Sequence, residues 1–209
     1  MTDVILVRHG ETVWHEGNRY AGRTDVALTP RGRLQAAELA AWAARERIDA
    51  VYSSPLSRAR LTAAPAAEAL GVAPREDPRL REVDFGRGEG LTRAEMRERF
   101  PEALDAFLDD PVAHHLPDGE DPKAAAARAS ACLDDLAAAF PEGRVLVVAH
   151  STLLRLLLCE RLGIPLRAYR RVFPHLDNGA LTELRLRGER TALLRFNAPA
   201  PPAPAPPAS

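Results

Sequence analysis

Two apolar runs, Val4-Ile5-Leu6-Val7 and Val145-Leu146-Val147-Val148, constrain this chain most strongly. Neither alternates polar with apolar residues, so neither suits a sheet with one wet face. A short continuous apolar run reads instead as a strand buried on both sides, as in parallel sheets covered by helices. The flanking segments supply those helices. Thr29 can cap a helix that starts at Pro30 and turns Leu34, Leu39 and Trp42 to one side. Residues 48–55 predict a second strand entering a turn. Residues 56–71 predict a second helix, interrupted or ended near Pro65 and closed by Gly71. Further helices are expected over 92–108, 123–140 and 151–163. Residues 180–188 and 190–197 alternate across Arg187-Gly188-Glu189, which predicts a late hairpin. The fold class is therefore α/β, with a mostly parallel central sheet, helices on both faces and an antiparallel hairpin near the end. Residues 1–197 are expected to form a single domain. Residues 198–209, a Pro/Ala stretch, are expected to be a disordered tail.

Composition narrows the function. Of 209 residues, 46% are apolar and the formal net charge is -1, which argues for a globular fold and against a nucleic-acid binder. Lys123 is the sole lysine. Arginine usage is thus a bias of the whole chain, and only arginines within motifs are informative. Cys132 and Cys159 sit in helical stretches and read as buried free thiols rather than a disulfide or metal site. No apolar run approaches the ~18 residues of a membrane span. A cytoplasmic location is the default expectation.

In open α/β sheets, ligands bind beyond the carboxyl ends of the strands. The first strand ends in Arg8-His9. The second leads into SSPLSRAR, which carries Arg58. The Val145 strand ends in His150. Each feature is weak alone, since a lone strand-end histidine is more often a satisfied structural residue. Together they deliver two histidines and at least two arginines to one edge. Two rival sites fail on spacing. In DDPVAHHLPDGED, His114 and His115 are adjacent and lack the i, i+4 spacing of a helical metal pair. The glycines of GRGEG follow no convincing buried strand and match neither a P-loop nor a dinucleotide fingerprint.

The stretches LVRHGET, NRYAGRTDVALTPRG, VYSSPLSRARLTA, LREVDFGRGEGLT and VLVVAHSTLLR, in that order over residues 4–183, resemble the histidine phosphatase superfamily, which includes cofactor-dependent phosphoglycerate mutases. The resemblance implies a phosphoglycerate-mutase-like fold. It makes His9 the nucleophile that becomes a phosphohistidine, Arg8 and Arg58 the phosphate clamps, His150 the second active-site histidine and Glu82 the proton donor. It places Gly10, Thr12, His15, Gly22 and Ser151 around the substrate. Chemistry agrees with these residue types. Phosphoryl transfer needs mainly positioning and charge stabilisation, planar guanidiniums match phosphate oxygens, and a neutral imidazole can attack phosphorus. Gly10 would let the backbone approach the phosphate. On local sequence alone, Glu82 would instead be a surface partner of Arg79 or Arg81.

Two positions depart from the family pattern. His15 stands where asparagine is frequent, and Ser151 where glycine often follows the histidine. The expected activity is metal-independent hydrolysis of a small phosphorylated metabolite, with no cofactor, no nucleic acid and no membrane partner; a homodimer is compatible with it. Residues 83–122 are expected to form a variable lid. That segment lacks the adjacent arginine pair of the mutases and has Phe85 where a tyrosine is usual, so a phosphatase is expected over the alternative of a mutase. An inactive phospholigand-binding protein is the alternative of another class.

Overall fold

The computed structural model describes residues 1–201. Its sheet has six strands: β1 (Thr2–Arg8), β2 (Ala50–Ser53), β3 (Arg75–Glu76), β4 (Arg144–Ala149), β5 (Leu181–Arg187) and β6 (Arg190–Ala198). Their spatial order is β3-β2-β4-β1-β5-β6. The β3-β2, β2-β4 and β4-β1 pairs are parallel, whereas β5 and β6 are antiparallel to their neighbours. Among the described residues the helices are α1 (Pro30–Ala43), α2 (Ser57–Leu70), α3 (Arg93–Arg99), α4 (Pro101–Asp109), α5 (Pro122–Ala139), α6 (Ser151–Arg161) and the short α7 (Tyr169–Val172).

The apolar runs are buried on both faces, for the reason their composition suggests. Val4 and Leu6 join one core with α4, α5 and α6, while Ile5 and Val7 join a second core with α1 and α2. Val145 and Val147 likewise face the first core, and Leu146 and Val148 the second. This is the period-two alternation of a strand, expressed between two apolar layers. Cys132 and Cys159 are free and buried, and burial pushes their thiols up to about 12 and about 11.

Four expectations need correction. Leu34 is 63% exposed, because the inward face of α1 is Gly32, Ala36, Leu39 and Ala43, with Trp42 beside them. Pro65 neither ends nor divides α2, which continues to Leu70 before Gly71 closes it. Ala63, Ala66 and Ala67 anchor both sides of the proline, and exposed Leu61, whose carbonyl loses its N–H partner, is open to water. The helix expected over 92–108 is two helices. Phe100 stands before Pro101 with φ -151° and ψ 67°, a residue forced out of helical geometry by the ring that follows. Finally, β6 extends through Ala198, Ala200 packs on the second core, and Arg45 donates to the Pro201 carbonyl at 2.7 Å, so the start of the expected tail is ordered. Residues 202–209, the rest of that tail, lie outside the described residues.

Candidate active site

Strand register builds the centre of the site. Arg8 of β1 pairs with Ala149 of β4, so His9 and His150, each one residue further, leave the sheet side by side. Their ring centroids lie 5.1 Å apart. The His9 Nδ1 atom sits 2.7 Å from the Gly10 carbonyl. A carbonyl only accepts, so Nδ1 carries the proton and Nε2 keeps its lone pair. Burial holds both histidines well below their ordinary range, and the Arg58 guanidinium adds to this.

Two arginines flank the pair. Arg58 enters from the first turn of α2 and is fully buried; it donates to the carbonyls of Thr24 (2.8 Å) and Gly22 (2.7 Å). Arg8 donates to the Leu176 carbonyl and to His15 Nε2, both at 2.6 Å. Burial lowers Arg8 to about 10. A guanidinium has only donors, so His15 Nε2 accepts from Arg8, while its Nδ1 faces the Thr12 N–H at 3.0 Å and the Thr12 hydroxyl at 2.8 Å. His15 thus accepts from Arg8 and braces it.

Glu82 is buried too. Its Oε1 accepts from the N–H groups of Val83 (2.9 Å) and Leu153 (2.8 Å), and its Oε2 from that of Thr152 (3.0 Å). It therefore sits on the amino end of α6. The surface pairing with Arg79 is excluded, because Arg79 engages Asp77 and Asp135 at 2.7 Å each.

A cleft of about 780 Å³ opens above these groups, lined at its base by Arg8, His9, Thr12, His15, Glu82 and Ser151. Arg58 and His150 lie beneath that base, fully buried. Gly10 and Gly22 do not line the cleft, and their smallness has another cause. A Cβ on Gly10 would lie 2.5 Å from the Gly32 carbonyl of α1, and one on Gly22 would lie 2.6 Å from the Val83 carbonyl. Both are close backbone approaches between segments of the chain.

Several lining residues carried no readable signal. Arg155 of α6, Tyr169 and Arg170 of α7, Trp14 and Tyr20 come from distant segments. Asn178 donates to the His9 carbonyl at 2.7 Å across 169 positions of sequence. Only Arg155, a charge inside the run LLRLLL, could have been singled out. The exposed His114 and His115 are outside the cleft, and among the described residues no three His, Cys, Asp or Glu side chains gather as a metal site would require. No described helix is long and apolar enough to cross a membrane.

The sequence profile of the histidine phosphatase superfamily (branch 1) matches residues 4–199. Phosphoserine phosphatase 1 of Hydrogenobacter thermophilus is 32% identical over 94% of this chain and 92% of its own. A probable phosphoglycerate mutase of Erwinia tasmaniensis is 34% identical over 82% of this chain and 80% of its own. Among solved structures, a mycobacterial glucosyl-3-phosphoglycerate phosphatase superimposes with a TM-score of 0.85 at 30% identity, covering 94% of this chain and 98% of its own.

Proposed function

The chain belongs to the histidine phosphatase superfamily, and we propose that it is a metal-independent phosphomonoesterase that acts on a small phosphorylated metabolite through a phosphohistidine at His9. One observation carries this reading. Arg8 Nε, Arg58 Nε and both ring nitrogens of His150 are buried without a hydrogen-bond partner. Unpaired buried polar atoms are costly, and these belong to the neighbouring histidine and to the two arginines whose charges act on His9. A phosphoryl group on His9 would supply acceptor oxygens to the two Nε–H groups and to the protonated nitrogen of His150.

In this reading His9 Nε2 attacks phosphorus while the ester oxygen departs with a proton from Glu82. Water then attacks the phosphohistidine and returns a proton to Glu82, releasing phosphate and neutral His9. The guanidiniums supply the positive charge that a metal gives other phosphatases. Glu82 must leave part of its contact with α6 to reach the leaving oxygen.

The test is phosphate release from an aryl phosphate and a panel of phosphorylated metabolites, with His9→Ala alongside and a chelator in a parallel arm. We expect turnover by the wild type, with or without chelator, and none by the variant. Acid-labile, base-stable phosphate should be trapped on His9 after rapid quenching. Full activity in His9→Ala would remove the nucleophile from this scheme. The lack of an adjacent arginine pair in residues 83–122 supports hydrolysis over mutase chemistry. With 3-phosphoglycerate and catalytic 2,3-bisphosphoglycerate, phosphate release should outrun isomer exchange.

A further inference from the structure

We propose that the substrate carries a second acidic group, a carboxylate or phosphate, beyond the ester it loses, and that Arg155 and Arg170 receive it. This rests on the phosphatase reading and adds the class of leaving group to it.

The cleft extends well past the space a phosphoryl group fills, and its outer wall carries unneutralised positive charge. Arg155 donates from Nε to the Ser151 carbonyl (3.2 Å) and from Nη1 to that of Pro174 (3.2 Å). Arg170 donates from Nε to the Tyr169 hydroxyl (3.0 Å) and from Nη1 to the Phe107 carbonyl (3.3 Å). Among the described residues neither has a carboxylate partner, whereas Arg19 on the same cleft is paired with Glu95 at 2.7 Å. The carbonyls and the hydroxyl orient these guanidiniums without cancelling their charge.

Both guanidiniums also rest over one ring. Arg155 lies 5.0 Å and Arg170 5.5 Å from the centroid of Tyr169, a side chain that is itself buried. Two like charges on a shared buried platform repel each other. An anion in the cleft that both residues line relieves that repulsion and accepts from their remaining N–H groups. Glu82, the carboxylate at the base of the same cleft, acts on Arg155 only through space, since its hydrogen bonds go to three backbone N–H groups and it makes no ion-pair contact with either arginine. Arg93 is exposed and touches only the Tyr20 hydroxyl, so it has reach without a fixed position.

The experiment uses ω-carboxyalkyl phosphates of two to six carbons, ω-hydroxyalkyl phosphates of matching length, and the corresponding α,ω-bisphosphates, with an aryl phosphate as control. The readout is kcat/KM for each acidic ester divided by that of its hydroxyl twin. At the best-matched length we expect a ratio of about tenfold or more, the worth of a charged hydrogen bond. Whether the carboxylate or the bisphosphate series gives the larger ratio identifies the acid. Arg170→Gln should bring the ratio towards one, and Arg170→Lys should restore part of it. Arg171→Gln, exposed and outside the cleft, should keep the full ratio. Should Arg170→Gln fail to fold, Arg155→Lys takes its place and should also reduce the ratio, through loss of the fork. Hydrolysis of the aryl phosphate with ratios near one at every length, or an undiminished ratio in Arg170→Gln, would overturn this proposal alone. No phosphate release from any ester would overturn the phosphatase reading with it.

Discussion

Both ends of the central sheet are rich in arginine, and they treat it in opposite ways. At the amino end, Arg144 engages Glu46 and also Glu183 at 3.1 Å, and Arg185 holds Asp3 at 2.8 Å. At the carboxyl end, Arg8 and Arg58 find carbonyl oxygens and one imidazole, with no carboxylate in ion-pair contact among the described residues. The near-neutral whole, with a net charge of -1, therefore hides a local excess of positive charge above the strand ends. Charge at the amino end is spent within the fold. At the carboxyl end it remains available to an anion.

The sharpest way to break this comparison is to remove one arginine from each end. Arg58→Met should lower kcat/KM by about 10³-fold, the range seen when a charge-stabilising donor is lost. Arg144→Met should leave kcat/KM within about twofold. It should instead cost ~1–3 kcal/mol of stability by stranding Glu183, read as a lower Tm. Equal losses of activity in both variants would show that the two ends do not differ in this sense.

A second contrast is thermodynamic. Inorganic phosphate or vanadate at a hundredfold excess over Kd should raise Tm by about 5–10 °C in the wild type. Arg144→Met should keep that increment and Arg58→Met should lose most of it. An undiminished increment in Arg58→Met would locate the anion elsewhere.

The smallest effect is in pH. Burial depresses His9 and His150 from their ordinary 6.5. Below that value the unfolded chain takes up protons that the folded site refuses, so stability is fully present above pH 6.5 and falls as pH drops towards the folded values. Each histidine contributes up to ~1.4 kcal/mol per pH unit in that window. Urea unfolding at about pH 5.5 and pH 7 should show this slope, and His150→Gln should lose its share. An unchanged slope in that variant would mean that His150 is not held neutral by the fold.

The strand-end chemistry was legible because it is local. An apolar run followed by Arg8-His9, and another followed by His150, states both the strand and its terminus within ten residues. The outer cleft was not legible, because Arg155, Tyr169 and Asn178 meet residues near position 9 only after the sheet has formed. The misread elements share a different cause. Pro65 obeys its local rule poorly, since packing of Ala63, Ala66 and Ala67 outweighs one missing hydrogen bond. At Phe100-Pro101 the local rule wins, because α3 and α4 are anchored separately, by Met96 on one side and by Leu104 and Phe107 on the other, so neither needs a continuous helix between them.

One close contact reaches further than its size suggests. Gly10 follows His9, and Gly32 lies in the first turn of α1; each backbone occupies the space where the other region would need a methyl group. A Cβ on Gly32 would stand 2.1 Å from the Glu11 carbonyl. For a laboratory or a lineage that varies this sequence, Gly32 is therefore a hidden point of fragility. Its codon lies more than twenty residues from that of His9, on a helix that lines no part of the cleft. A single alanine there would push the His9 loop off the Nδ1 contact that fixes its tautomer. Inactivating changes of this kind would be invisible to any search confined to residues that face the substrate.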